Sequence, residues 1–177
     1  MASELHVDAI KHSGGTSALT IDSSGNVHKA GMVVQVVKSG NFTSAHVSGT
    51  SSSYATMGSD FSLAITPKFN NSLILIEAML NPYTSGSNNS GTFNISKDGG
   101  SSFIAANSTN GFGIVPTHGT ASGTYSHFII SCSDTVSSTS TVTYQIYFRS
   151  DNTNNNITFY GNHANMSNHI TLIEVAQ

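Results

Sequence analysis

The residues of this chain best suited to chemistry are its eight histidines, its nine carboxylates and its many serines, and their spacing decides what they can do. Metal binding by imidazole needs ligands held close together, as in His-Glu-x-x-His or a tight triplet. His6, His12, His28, His46, His118, His127, His163 and His169 form no such pattern. Two arrangements come nearest. His163 and His169 approach one another near the C-terminal hairpin, and His6 and His12 repeat around a symmetry axis if the chain is an oligomer. Scattered hydrogen-bonding histidines are the simpler reading, so no metal and no other cofactor is expected.

Glycoside hydrolysis needs two carboxyl groups flanking one bond. The supply is Glu4, Asp8, Asp22, Asp60, Glu77, Asp98, Asp134, Asp151 and Glu174, and most of these fall in predicted turns. No Gly-x-Ser-x-Gly elbow singles out a nucleophile, and no glycine-rich loop leads into a helix to cradle phosphate. The expectation is a protein without enzymatic activity. Binding is a different matter. Tyr83, Phe103, Phe112, Tyr125 and Tyr160 lie near loops and would contact a receptor, such as a cell-surface glycan, or a neighbouring protein. Tyr147 and Arg149 share one face of a strand over 140–150, opposite Tyr144, Ile146 and Phe148. The latter set reads as a core face. The former reads either as solvent face or as an inter-subunit contact, where Tyr and Arg bury area while keeping polar tips.

Composition narrows the classes further. Of 177 residues, 37% are hydrophobic and only 8% charged, against about 25% charged in an ordinary soluble domain. The surface must therefore be Ser, Thr, Asn and Gly, which suits a shell or a fibre. A net charge of -3 and six scattered cations, Lys11, Lys29, Lys38, Lys68, Lys97 and Arg149, argue against nucleic acid. The single Cys132 excludes an internal disulfide and a cysteine zinc site, and reads as a small buried residue. The start, Met1-Ala2-Ser3-Glu4, lacks the basic and apolar regions of a signal peptide, and no stretch is long enough to span a bilayer. Synthesis in a cytoplasm without export, and no membrane insertion, are expected.

The elements that must position these residues are strands. A β-branched run over 31–38 opens the body, and Phe61, Leu63 and Ile65 alternate with small polar residues up to Pro67, which offers no ladder donor. The most apolar run, 72–80, puts Leu73, Leu75 and Glu77 on one face and Ile74, Ile76 and Ala78 on the other. It reads as a central strand packed from both sides, with Leu75 in its middle and Glu77 near an interface or the strand's exit. Asp98-Gly99 is a hairpin signal after a strand at 92–96, with a return strand at 102–106. The Gly-rich stretch 107–123 reads as a long excursion carrying Phe112. Strands follow at 124–132, 140–150, 156–160 and 168–175. With no helix-period segment, the fold class is all-β: an antiparallel two-sheet sandwich of jelly-roll character, with an immunoglobulin-like arrangement as the runner-up.

Residues 1–30 stand apart from the body at 31–177. Leu5, Val7 and Ile10, then Leu19 and Ile21, then Val27 supply three short apolar edges separated by Gly14-Gly15 and Gly25-Asn26. Such a segment has too few apolar groups for a core and is expected to dock elsewhere through Leu5, Val7, Ile10, Leu19 and Ile21.

This opening, from Leu5 to Val27, resembles that of virion structural proteins of tailed bacteriophages, marine phages especially. The body is similar as well, in its Ser-Tyr strand opening, in Ser72-Leu73-Ile74-Leu75-Ile76-Glu77-Ala78, in Thr143-Tyr144-Gln145-Ile146-Tyr147-Phe148-Arg149-Ser150 and in Ile170-Thr171-Leu172-Ile173-Glu174-Val175. The loops from 81 to 123 find no counterpart. The resemblance implies a structural protein of a short fibre or of the capsid surface, anchored through its N-terminal arm to a particle protein such as the major capsid or a fibre-base protein. It also implies a homotrimer and a place in the virion after synthesis in the host bacterial cytoplasm. The alternative is a tail-fibre tip module that binds a host cell-surface glycan. A cellular lectin-like or adhesion protein is a third class, which the phage-like opening disfavours.

Overall fold

Side chains that alternate with a period of two sort themselves onto opposite faces of a strand, and the burial of 72–80 and 169–175 follows that alternation. The structure is a computed structural model that describes residues 6–40, 42, 47–49, 52–58, 61–84, 90–105, 111–116, 124–150, 157–159 and 168–177. Among these, the arm forms β1 (Ala9–Lys11), β2 (Ser17–Ile21) and β3 (Val27–His28). The body forms β4 (Val33–Lys38), β5 (Val47–Gly49), β6 (Ala55–Thr56), β7 (Ser62–Ile65), β8 (Ser72–Leu80), β9 (Pro82–Thr84), β10 (Ser90–Ser96) and β11 (Ile114–Pro116). It continues with β12 (Thr124–Tyr125), β13 (Phe128–Val136), β14 (Val142–Ser150), β15 (Ile157–Phe159) and β16 (His169–Val175).

All pairing among these strands is antiparallel. One sheet runs β13-β8-β16-β4, and a shorter one of matching order, β12-β9-β15-β5, continues it along the chain. The other large sheet runs β11-β10-β14-β6, with β7 following β6 along the same side of β14. The break between β8 and β9 falls at Asn81 and Pro82, where the ring removes a ladder donor. Asn168 closes it: its side-chain oxygen accepts from Asn81 N at 2.6 Å and its backbone oxygen from Phe42 N at 3.1 Å.

Both large sheets feed one core. Ile74, Ile76, Ala78 and Leu80 of β8, Ile130 of β13 and Ile170 and Leu172 of β16 meet Phe93 and Ile95 of β10 and Tyr144, Ile146 and Phe148 of β14. The expected core face of β14 is thus present. The expectation for Leu75 is corrected: it is only half-buried and lies, with Leu73, on the face of β8 opposite Ile74 and Ile76. In a body whose two sheets share one core, one face of each strand points away from that core, so β8 is packed fully from one side rather than two.

Two further expectations change. The Asp98-Gly99 turn forms with Gly99 and Gly100 at φ 71° and 90°, but 102–105 make no return strand. The Asp98 carboxylate accepts from Ser102 N and Ser102 Oγ and closes the turn over 98–102, after which the segment returns to β10 without forming a strand, Ile104 N donating to Ile95 O at 2.9 Å, while β10 pairs with β14 and β11. Phe112, placed by sequence on a free excursion, donates its N–H to Phe93 O at 2.9 Å and packs half-buried against the core.

Glu174 explains the turn before β8. Fully buried, it accepts from Lys68 N at 2.8 Å, Phe69 N at 3.3 Å, Ser72 Oγ at 2.6 Å and Gln35 Nε2 at 2.6 Å. Four donors on one carboxylate lock 68–72 to β16 and β4. The arm differs. It forms its own β1-β2-β3 sheet, and none of residues 6–30 is buried. It meets the body where the His28 ring lies 4.7 Å from that of Phe69 and His28 Nε2 donates to Gln177 O at 3.2 Å.

Candidate functional site

Three surfaces of the molecule carry features that bear on function. The first is the outer face of the β11-β10-β14-β6 sheet, which the chain roofs with its own 97–105 segment. Tyr147 is only 4% exposed there. Its ring and that of Phe103 meet edge to face with centroids 5.4 Å apart, Phe103 packs at a tilt on Tyr54 at 4.7 Å, and a side chain at Gly100 would sit 3.1 Å from Tyr147. Burial, and then the charge of Asp98, push the Tyr147 hydroxyl above its ordinary pKa. Arg149 Nε donates to Thr92 Oγ1 at 3.3 Å, and Thr92 Oγ1 to Tyr54 OH at 3.2 Å. Tyr147 and Arg149, read from sequence as solvent face or inter-subunit contact, are therefore engaged within their own protomer.

The second is a polar cleft of about 310 Å³ at the mouth between the two sheets, lined by Lys97, Ser102, Phe103, Ser133, Asp134 and Thr135 among others. Lys97 Nζ lies 2.8 Å from both Asp134 oxygens, and Tyr144 OH donates to Asp134 Oδ2 at 2.8 Å across the core. Burial and the neighbouring Asp134 both raise the Tyr144 pKa. The same two causes push the Cys132 thiol up to about 12, so it stays protonated and inert as a nucleophile. Among the described residues no three His, Cys, Asp or Glu side chains are grouped to hold a metal ion.

The proposed aromatic contacts are dispersed. Phe103 lines the cleft, Phe112 packs inward, and Tyr83 and Tyr125 are register partners across β9 and β12. Tyr160 lies outside the described residues, as do Leu5 and His163. Of the arm's docking candidates, Val7, Leu19 and Ile21 are half-buried and Ile10 is exposed. An open groove of about 330 Å³ passes Leu19, Thr20, His28 and Ala30. His12 serves locally, its Nδ1 accepting from Gly14 N at 3.1 Å.

The third surface is the outer face of the β13-β8-β16-β4 sheet, which the sequence reading did not single out. The register lays Leu73, Val175 and Val33 in one row and Leu75, Ile173 and Val36 in the next. A third row holds Glu77, Thr171 and Lys38. His169 stands beside that row, opposite Met79; burial lowers its pKa, the charge of Lys38 lowers it further, and Glu77 opposes the shift. The signal was available in the sequence. Val33-Val34-Gln35-Val36-Val37 lacks the apolar-polar alternation of an edge strand with a wet face. Compared with protein-family models and with curated proteins, the chain matches none.

Proposed function

We propose that this chain is a non-enzymatic structural protein of a phage particle, forming a short fibre or decorating the capsid surface as a homotrimer attached through residues 1–30. The observation that carries this reading is the arm: a three-stranded sheet with no buried residue, holding Ile10 and Val27 exposed. A segment so poor in burial gains stability by docking on another surface. The low charge and the sequence resemblance support the same reading.

The strand order supports the finer reading of the body as a jelly-roll sandwich. Counting β4/β5, β6/β7, β8/β9, β10, β11, β12/β13, β14 and β15/β16 as eight units in chain order, one sheet holds the sixth, third, eighth and first, and the other holds the fifth, fourth, seventh and second. Two interleaved Greek keys give this order, and such folds serve as capsid and lectin domains.

Sedimentation at micromolar concentration is expected to give a trimer; a monomer or a dimer contradicts that part of the reading. Deletion of residues 1–28 is expected to leave a folded body that fails to enter particles, and normal incorporation contradicts the anchor. A second reading, a fibre-tip module that binds a cell-surface glycan, is favoured by the Lys97–Asp134 cleft with Phe103 on its wall. Its test is glycan binding that Phe103→Ala and Lys97→Ala abolish.

A further inference from the structure

We infer that the outer face of the β13-β8-β16-β4 sheet is where copies of this chain meet, with Lys38 of one protomer pairing with the partner's Glu77. This rests on the homotrimer reading and adds to it the surface and the contacts.

The first ground is exposure. Val33 and Val36 are 54% and 58% exposed on β4, and Ile129 is 71% exposed on β13. Val33 and Val36 are three positions apart, a spacing that would turn them to opposite faces of a regular strand. The register shift at Glu174/Val175 lets both join the outward rows, Val36 beside Ile173 and Val33 beside Val175. A bulge that brings an extra valine onto an exposed face is a feature to explain rather than a defect. At strand spacings of about 4.8 Å and rises of about 3.4 Å per residue, the two apolar rows cover on the order of 200 Å², bordered on β13 by Ser133 and Thr135. An apolar patch rimmed by polar residues is the form that interaction sites take.

The second ground is charge complementarity within the face. Glu77 and Lys38 lie in one row with Thr171 between them, two strand spacings or about 10 Å apart. Neither has an ion-pair partner among the described residues. They are on opposite sides of β16. A copy related by rotation lays the β4 side of one face on the β8 side of the next, so each Lys38 meets the partner's Glu77. The same rotation sets Val36 against the partner's Leu75 and Val33 against the partner's Leu73. Apolar rows then cover apolar rows and the one acid covers the one base. A three-fold rotation makes this contact heterologous and closes it in a ring of three.

The test uses the full-length protein in sedimentation equilibrium. Val36→Asp, at an exposed edge position, is expected to give monomers with an unchanged far-ultraviolet spectrum. Lys38→Glu and Glu77→Lys are each expected to weaken association about tenfold or more by placing like charges together. The double variant carrying both is expected to recover association to within about threefold of the original protein. A double variant no stronger than the singles, or singles no weaker than the original, overturns the pairing. A trimer that survives Val36→Asp overturns the face while leaving the homotrimer intact. A dimer that Val36→Asp dissociates keeps the face and overturns the trimer, and a protein that is monomeric throughout overturns both.

Discussion

The two large sheets treat their outer faces in opposite ways. Over β10 and β14 the chain folds its 97–105 segment back, buries Tyr147, and fills the space with Phe103 and Tyr54. Over β8 and β16 the rows Leu73-Val175-Val33 and Leu75-Ile173-Val36 include valines more than half exposed. A chain that supplies a roof for one apolar face and leaves aliphatic side chains out on the other points to an external partner for the second. The roofed face is stabilised within the protomer. On the reading proposed above, the bare one is stabilised by assembly.

The largest expected contrast lies on the two sides of one strand. Ile76→Ala empties a fully buried site and is expected to cost about 2–5 kcal/mol. Leu75→Ala, tested in the Val36→Asp background where copies are separated, is expected to cost about 1 kcal/mol, because much of that side chain already faces water. Urea unfolding at fixed subunit concentration compares the two, and equal losses would show that both faces of β8 are core. Next in size is Glu174→Gln. It keeps the shape of the side chain but turns an amide N–H₂ toward donors that now meet a carboxylate, and a loss of about 2–3 kcal/mol is expected. No measurable loss would mean that the turn at 68–72 holds without it.

Phe103→Ala lifts the roof from Tyr147 and Tyr54, with an expected cost of about 1–2 kcal/mol. Hydrogen exchange should quicken in 97–105 and leave β8 and β16 unchanged; faster exchange throughout would mean that the roof is part of the main core. The smallest effect is a titration. Hydrogen bonds from Ser102 and Ser96 lower the Asp98 pKa from 3.8 to about 2. A depressed carboxylate holds its turn fully above pH 3.8 and loses its hold as the pH falls through about 2. The Ser102 amide resonance should move across that window, and in Asp98→Asn it should not.

Much of this division was legible in the residues, and the part that was not has a physical cause. Period two assigned Tyr144, Ile146 and Phe148 to the core and separated Ile74 and Ile76 from Leu73 and Leu75. It could not say which face of 72–80 the second sheet would cover, because both faces are aliphatic. Tyr147 read as an exposed or shared residue since its cover comes from 97–105, a segment whose bend depends on side-chain bonds from Asp98 that no periodicity records. The exposed row on β4 depends on a register shift against β16, and register is a property of two strands together. For the candidate site, the contacts expected from residue type, Phe103 and Phe112, line the cleft and pack on the core, whereas the sign of Val33 and Val36 in the sequence was the missing alternation of 33–37 rather than any reactive group.

The central claim, that the bare face joins copies of this chain, is tested most directly by a covalent link. Val36 and Leu75 lie two strands apart in one protomer, about 10 Å, well beyond the ~4 Å between Cβ atoms that a disulfide requires. A full-length variant with Val36→Cys and Leu75→Cys cannot therefore close that bond within itself, and Cys132 keeps a protonated thiol. Mild oxidation is expected to convert the protein into a covalent trimer that reductant returns to single chains. Free thiols at both positions and a single-chain band after oxidation would contradict the account.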